Sequence, residues 1–184
     1  MAENEALTPR VFIVRHGETE WAKQGRQTGK TVVTTASHLA GEGKLLDPTK
    51  LARVFVSPRK RAQQTLQGLL GSHLDAIEAR GVEITATEGA AEWDYGEYEG
   101  LKLSEVRGRR KEKGLDGERK VVKEQVKERL DRVITAIREI QGPCMRGEKA
   151  ADVLVVAHGV ILRAYKSNSV YEPAFHVGIA LPVE

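Results

Sequence analysis

Two of the chain's five histidines and a cluster of its arginines each follow directly on a short apolar run. Val11-Phe12-Ile13-Val14 leads into Arg15-His16-Gly17, Val54-Phe55-Val56 into Ser57-Pro58-Arg59-Lys60-Arg61, and Val153-Leu154-Val155-Val156 into Ala157-His158-Gly159. These side chains suit an anionic group. The planar guanidinium fork binds phosphate oxygens bidentately and stays charged. A neutral imidazole can attack phosphorus, dividing one hard displacement into two easier ones through a covalent intermediate. Phosphoryl transfer depends mainly on positioning and charge stabilisation, with an acid to protonate the departing alkoxide. The kit is two His, two Arg and one Glu or Asp, without a metal. Glu92, in the segment Ala91-Glu92-Trp93-Asp94-Tyr95-Gly96-Glu97-Tyr98-Glu99-Gly100, is the natural fifth member.

Something must bring these segments together. The three apolar runs are rich in β-branched residues and continuous rather than alternating, as in strands buried on both faces of a mostly parallel sheet. Val82 to Ala86 forms a weaker fourth strand. Pro58 suits the start of a helix reaching about Leu70. Leu101 to about Lys113 reads as a polar helix. Val122, Val126, Leu130, Val133, Ile134 and Ile137 mark one face of a long amphipathic helix, which Gln141-Gly142-Pro143 should end. Alternating strands and helices predict one α/β domain over 1–184, a three-layer sandwich with a mostly parallel sheet between helices. In such sheets ligands bind beyond the carboxyl ends of the strands, where all three motif segments lie.

Composition narrows the partners. No apolar run is long enough to span a membrane, and the acidic start lacks the apolar region of a secretory signal. The single cysteine, Cys144, cannot form an internal disulfide and has no metal-ligand spacing. A reducing, cytoplasmic setting is expected. The net charge of +3 suits an anionic substrate. Between Arg107 and Lys120 seven basic residues face three acids. No aromatic residue interleaves them, so a solvated helix is expected rather than a nucleic-acid surface. Gly41-Glu42-Gly43-Lys44 is no P-loop, because His38 and Leu45 stand where glycine and Ser or Thr are needed.

Val14-Arg15-His16-Gly17-Glu18-Thr19-Glu20-Trp21 resembles the signature of the histidine phosphatase (phosphoglycerate-mutase-like) superfamily. Ser57 to Thr65 is similar to that family's second motif, Glu92 to Gly100 to its acid loop, and Ala157-His158-Gly159 to its last motif. The matching blocks run from about residue 11 to 163. The resemblance implies a phosphoglycerate-mutase-like fold and a phosphatase that needs no cofactor. It implies that His16 is the phosphorylated nucleophile, that Arg15, Arg61 and His158 complete the phosphate pocket, and that Glu92 is the general acid. Thr28-Gly29 and Tyr95 match positions that contact substrate. Gly159 would offer a backbone N–H at a helix start. Arg61, not Arg59, matches the catalytic arginine, leaving Arg59 a surface or substrate-side role. Trp93 and Tyr98 are expected to pack under the loop, and His38, His73 and His176 to be surface or structural.

Several connections depart from the family pattern. The stretch from Lys30 to Ala40 is short, a Gly-Glu-Ser-like segment near Arg119 is absent, and Val160 stands where sugar-phosphate relatives tend to carry histidine. Little room remains after Arg163 for the usual later helices and final strand; if the final strand is missing, an edge of the sheet is left open. The acid loop is similar to that of sugar-bisphosphatases of the sedoheptulose-bisphosphatase type. Hydrolysis of a small phosphorylated metabolite is therefore the expected activity. A mutase and a catalytically silent, ligand- or partner-binding family member are the alternatives.

Overall fold

The computed structural model describes residues 9–17, 46–115, 120–148, 151–162 and 176–180. Five strands, β1 (Arg10–Arg15), β2 (Leu51–Val56), β3 (Glu83–Ala86), β4 (Asp152–Ala157) and β5 (His176–Ala180), form one sheet in the order β3-β2-β4-β1-β5. Every neighbouring pair is parallel. Helices α1 (Lys60–Leu70), α2 (Leu74–Ala79), α3 (Leu103–Glu112) and α4 (Lys120–Met145) accompany them among the described residues.

The uninterrupted apolar runs have the expected consequence, because successive side chains point to opposite faces and both faces are covered. Phe12, Val14, Val54, Val56, Leu154 and Val156 pack with Ala62, Leu66 and Leu70 of α1 and Ile77 of α2. Their neighbours Val11, Ile13, Phe55, Val153, Val155 and Ala157 pack with Val126, Leu130, Val133, Ile134 and Ile137 of α4. The result is a three-layer α/β sandwich. Each fully buried aliphatic side chain contributes about 1.5–3 kcal/mol relative to exposure. Strand register is set by these two clusters, since a slip of one residue would exchange the faces.

Three expectations need correction. A final strand is present: β5 pairs with β1 from Arg10↔His176 to Val14↔Ala180, so the edge beside β1 is covered. The sequence is poor in strand signals there, with Gly178 in its middle. His176 belongs to this strand. The long helix does not stop at Gln141-Gly142-Pro143 but includes Pro143 and ends at Met145. One lost backbone donor near a helix end is tolerated because buried Cys144 anchors the last turn. The stop comes at Gly147, at φ 77°, where its N–H bonds Cys144 O at 2.9 Å and that of Glu148 bonds Pro143 O at 3.0 Å. Third, α1 begins at Lys60 rather than Pro58. Ser57 Oγ accepts the Arg59 N–H at 3.3 Å, and Ser57 O accepts Gln63 Nε2 at 2.8 Å, holding the preceding residues in a bend.

The polar helix is α3, which buries only Val106 and exposes Arg107, Arg109 and Lys111. Helix α2 was not evident beforehand. It is six residues long, closed at Gly81 (φ 77°), and contributes fully buried Ile77 beside β3.

Candidate active site

Strand register brings the motifs to one rim. Arg15 pairs with Ala157 and Val56 with Val156, so His16, Ser57 and His158 emerge side by side. Backbone pairing continues past the strands, with His16 N–H on Ala157 O at 3.0 Å and Ser57 N–H on Val156 O at 2.9 Å. The His16 and His158 rings lie 4.8 Å apart, tilted by 56°. His16, Arg61, Glu92 and His158 are all buried, whereas Arg15 is exposed.

His16 Nδ1 lies 2.6 Å from Gly17 O, an acceptor only, so this nitrogen carries the proton and Nε2 keeps its lone pair. Gly17 is itself held, since its N–H donates to Thr65 Oγ1 at 2.9 Å. The Thr65 hydroxyl in turn donates to Arg61 O at 2.7 Å, one helical turn back. One threonine therefore ties the His16 loop to the helix that carries Arg61. Burial, aided by the charges of Arg61 and Arg15 and opposed by the Gly17 bond, lowers the His16 pKa to about 4. The imidazole is neutral at physiological pH.

His158 is held through Nε2, 2.7 Å from Ser57 Oγ. The same Ser57 oxygen accepts the Arg59 N–H. The other ring nitrogen, Nδ1, is buried and without a hydrogen-bond partner among the described residues. Burial, then Arg61, His16, Arg59 and Arg15, push the His158 pKa down to about 2. The ring is neutral, and Nδ1, when it carries the proton, is a donor that an anion can satisfy.

Glu92 follows β3 after a 3-10 turn, Glu88–Ala90. Its carboxyl crosses to the third motif, where Oε2 accepts the Val160 N–H at 3.2 Å while Oε1 accepts the Trp93 N–H at 3.2 Å. Burial lowers the Arg61 pKa, and the negative charges of Glu92 and then Glu99 oppose it most, with Tyr95 among the further contributors. Glu92 and Tyr95 thus share the surroundings of Arg61. Gly159 opens a helical turn at 159–162, and a Cβ there would sit 3.3 Å from Arg15 Nε. The missing side chain lets the guanidinium lie against the backbone.

Of the sequence-predicted residues, His16, Arg15, Arg61, Glu92, His158, Tyr95 and Gly159 gather at this rim. Thr28 and Gly29, with His38 and the stretch from Lys30 to Ala40, lie outside the described residues. Trp93 packs on the α4-side core with Tyr95 edge-on at 5.9 Å, and Tyr98 is buried, both as packing residues. His73 is exposed. Ser57, Thr65 and Glu99 were not singled out from the sequence, though all three stand inside the motif segments. Only their contacts distinguish them from neighbouring polar residues. Among the described residues no group of three or more His, Cys, Asp or Glu is placed to hold a metal ion. No described helix is long and apolar enough to cross a membrane.

A profile of the histidine phosphatase superfamily (branch 1) matches residues 11–173. Saccharomyces cerevisiae sedoheptulose 1,7-bisphosphatase is 33% identical over 182 residues, an alignment spanning 87% of this chain and 67% of the yeast protein. A Mycobacterium tuberculosis acid phosphatase is 32% identical over 180 residues, spanning 89% of this chain and 77% of the relative. The crystal structure of the α-ribazole phosphatase from Shigella flexneri superposes with a TM-score of 0.63 at 19% identity, covering 90% of this chain and 81% of that one. That likeness concerns the fold.

Proposed function

The chain belongs to the histidine phosphatase superfamily, branch 1, and is a phosphoric monoester hydrolase; from that premise we propose that it hydrolyses a small phosphorylated metabolite, a sugar phosphate or bisphosphate, through phosphorylated His16. The observation that carries the reading is the neutral His16 ring, protonated on Nδ1, beside the buried, unpartnered Nδ1 of His158 and within reach of the Arg61 charge. In the first step His16 Nε2 attacks phosphorus and the bond to the leaving oxygen breaks, with Glu92 delivering a proton to that oxygen. In the second step water attacks the phosphohistidine, the P–N bond breaks, and the Glu92 carboxylate takes a proton from the water. Arg15, Arg61 and His158 Nδ1–H hold the equatorial oxygens, where charge is spread in the transition state.

Tyr95 and Gly159 lie on the substrate side of this arrangement, and Thr28-Gly29 remains an expected substrate contact. The sugar-bisphosphate class is supported by the substrate named for the yeast relative and by the similarity of the acid loop. A cytoplasmic, reducing location accords with a single cysteine, Cys144, that is buried.

The test is initial-rate hydrolysis of p-nitrophenyl phosphate and a panel of sugar bisphosphates in EDTA, with His16→Ala alongside. The natural chain should turn over substrate and trap labelled phosphate on His16 in an acid-free quench, while the variant does neither. Activity that EDTA abolishes and a divalent ion restores would overturn the metal-independent route. Undiminished turnover by His16→Ala would overturn the covalent one.

A further inference from the structure

The segment bearing Glu92 is braced from helix α4. Between β3 and Glu92 the chain makes the turn Glu88–Ala90, capped by Thr87 Oγ1, which accepts the Gly89 N–H at 3.1 Å. Helix α4 presses on this turn so closely that a Cβ at Gly89 would fall 2.5 Å from Val133 Cγ2 and 3.3 Å from Arg129 O. From the same helix, Arg129 Nη1 donates to Glu88 O at 2.9 Å. Burial lowers the Arg129 pKa, and the carboxylates that chiefly counter it are Glu88 and then Glu92. The guanidinium thus binds the backbone at the start of the turn and lies within electrostatic reach of the carboxyl beyond its end.

Arg59 also reaches this turn, its Nη2 3.0 Å from Glu88 Oε2. That carboxylate is 61% exposed, so the pair is screened by water and holds only a side chain. Arg129 grips the main chain instead. Ala90, which ends the turn, and Ala91 after it are fully buried, and Glu92 Oε2 accepts the Val160 N–H. The path to Glu92 is fixed at both ends, with Arg129 at the upstream one.

We propose that Arg129 is a positioning residue for the proton donor: by holding Glu88 O it places the Glu92 carboxyl over the leaving-group side of the rim. The inference rests on the reading of Glu92 as general acid. A misplaced acid harms esters whose leaving oxygen must be protonated and harms little those that depart as stable anions. Small displacements at a reacting centre have large effects on rate.

The experiment compares kcat/KM, which reports transfer to His16 and not the hydrolysis step common to all esters, on β-glycerol phosphate, a poor leaving group, and on p-nitrophenyl phosphate, a good one. Arg129→Met should lose about tenfold more on glycerol phosphate than on p-nitrophenyl phosphate, and Arg129→Lys should recover most of the difference. Equal losses on both esters, or no loss, would overturn the proposal. Thermal melting accompanies the assay, and Arg129→Gln, which keeps a shorter donor, replaces Arg129→Met if the latter does not fold; the same split is expected. Glu92→Gln separates the two failures. A leaving-group split in Glu92→Gln without one in the Arg129 variants sinks the inference alone, and no split in Glu92→Gln sinks the general-acid reading.

Discussion

Ser57 and His158 meet at 2.7 Å with neither residue exposed to solvent. They follow the ends of different strands, β2 and β4, 101 positions apart in the chain. Their contact engages Nε2 of His158 and leaves Nδ1 as the nitrogen without a partner among the described residues. Without the hydroxyl the ring could adopt the other tautomer or turn about its bond to Cβ.

Ser57→Ala should therefore lower kcat/KM about tenfold to a hundredfold, with a stability loss of about 1–3 kcal/mol for the buried group left unpaired. Steady-state kinetics with a denaturant titration checks both. A variant that loses stability but keeps full kcat/KM would show that the serine only packs.

The pH dependence of stability follows from the two depressed histidines. Their pKa values in the folded protein, about 4 for His16 and about 2 for His158, lie below the ordinary 6.5. The unfolded chain then binds more protons than the folded one on the acid side, so stability rises with pH in that range. It should be complete above pH 6.5 and fall as pH drops below that value, the His16 share levelling off near pH 4, where the folded ring also takes its proton, and the His158 share continuing toward about 2. Melting temperatures from pH 3.5 to 8 test this. Nitrogen-15 spectra at pH 6 should show both rings neutral, with the His16 proton on Nδ1. A His16 ring that titrates near 6.5 would contradict the burial described.

Gly89→Ala tests the close approach of α4 to the acid-bearing turn. The new Cβ would meet Val133 Cγ2 at 2.5 Å, and Val133 is a core residue unable to move aside cheaply. A loss of about 1–3 kcal/mol is expected from overpacking, together with reduced kcat as Glu92 is displaced. Denaturant midpoints and turnover should fall together. Unchanged turnover in the folded variant would separate the turn from the acid's placement.

At the opposite end of the sheet, Asp152 offers a contrast. It is almost fully buried and takes the Arg10 Nε at 3.1 Å and Nη2 at 2.5 Å, along with the Arg10 backbone N–H at 3.1 Å. Asp152→Ala should cost about 3 kcal/mol, because several donors lose their acceptor. It should leave kcat and KM of the folded protein unchanged, since the residue starts β4 while His158 follows its end. A selective loss of kcat would mean that the two ends of the strand are coupled.

Much of this arrangement was legible in the residues because the chemistry sits where strands stop. Apolar runs such as Val153–Val156 announce buried strands, and His158 at the end of one must then lie near His16 at the end of another. What stayed hidden depends on long-range contacts. Nothing local marks Thr65 as the hydroxyl that joins Gly17 to Arg61, or Arg129 as a donor to Glu88 O. Strand β5 was missed because Gly178 breaks its pattern, and its pairing with β1 supplies order that its own sequence lacks. Pro143 misled in the other direction. A helix end is fixed by the whole terminal hydrogen-bond pattern, which here waits for Gly147.

The strand order has a consequence for how the molecule is made. β1 and β2 are not neighbours; β4, at residues 152–157, lies between them. While a ribosome is still adding α4, both earlier strands lack their principal partner, and His16 and Arg61 exist without a pocket. Assembly must wait for the late strand to slot in, a non-local step of the kind that slows folding. During that interval two of the most apolar stretches of the chain are exposed, so conditions that stall synthesis before β4 should favour aggregation and capture by chaperones.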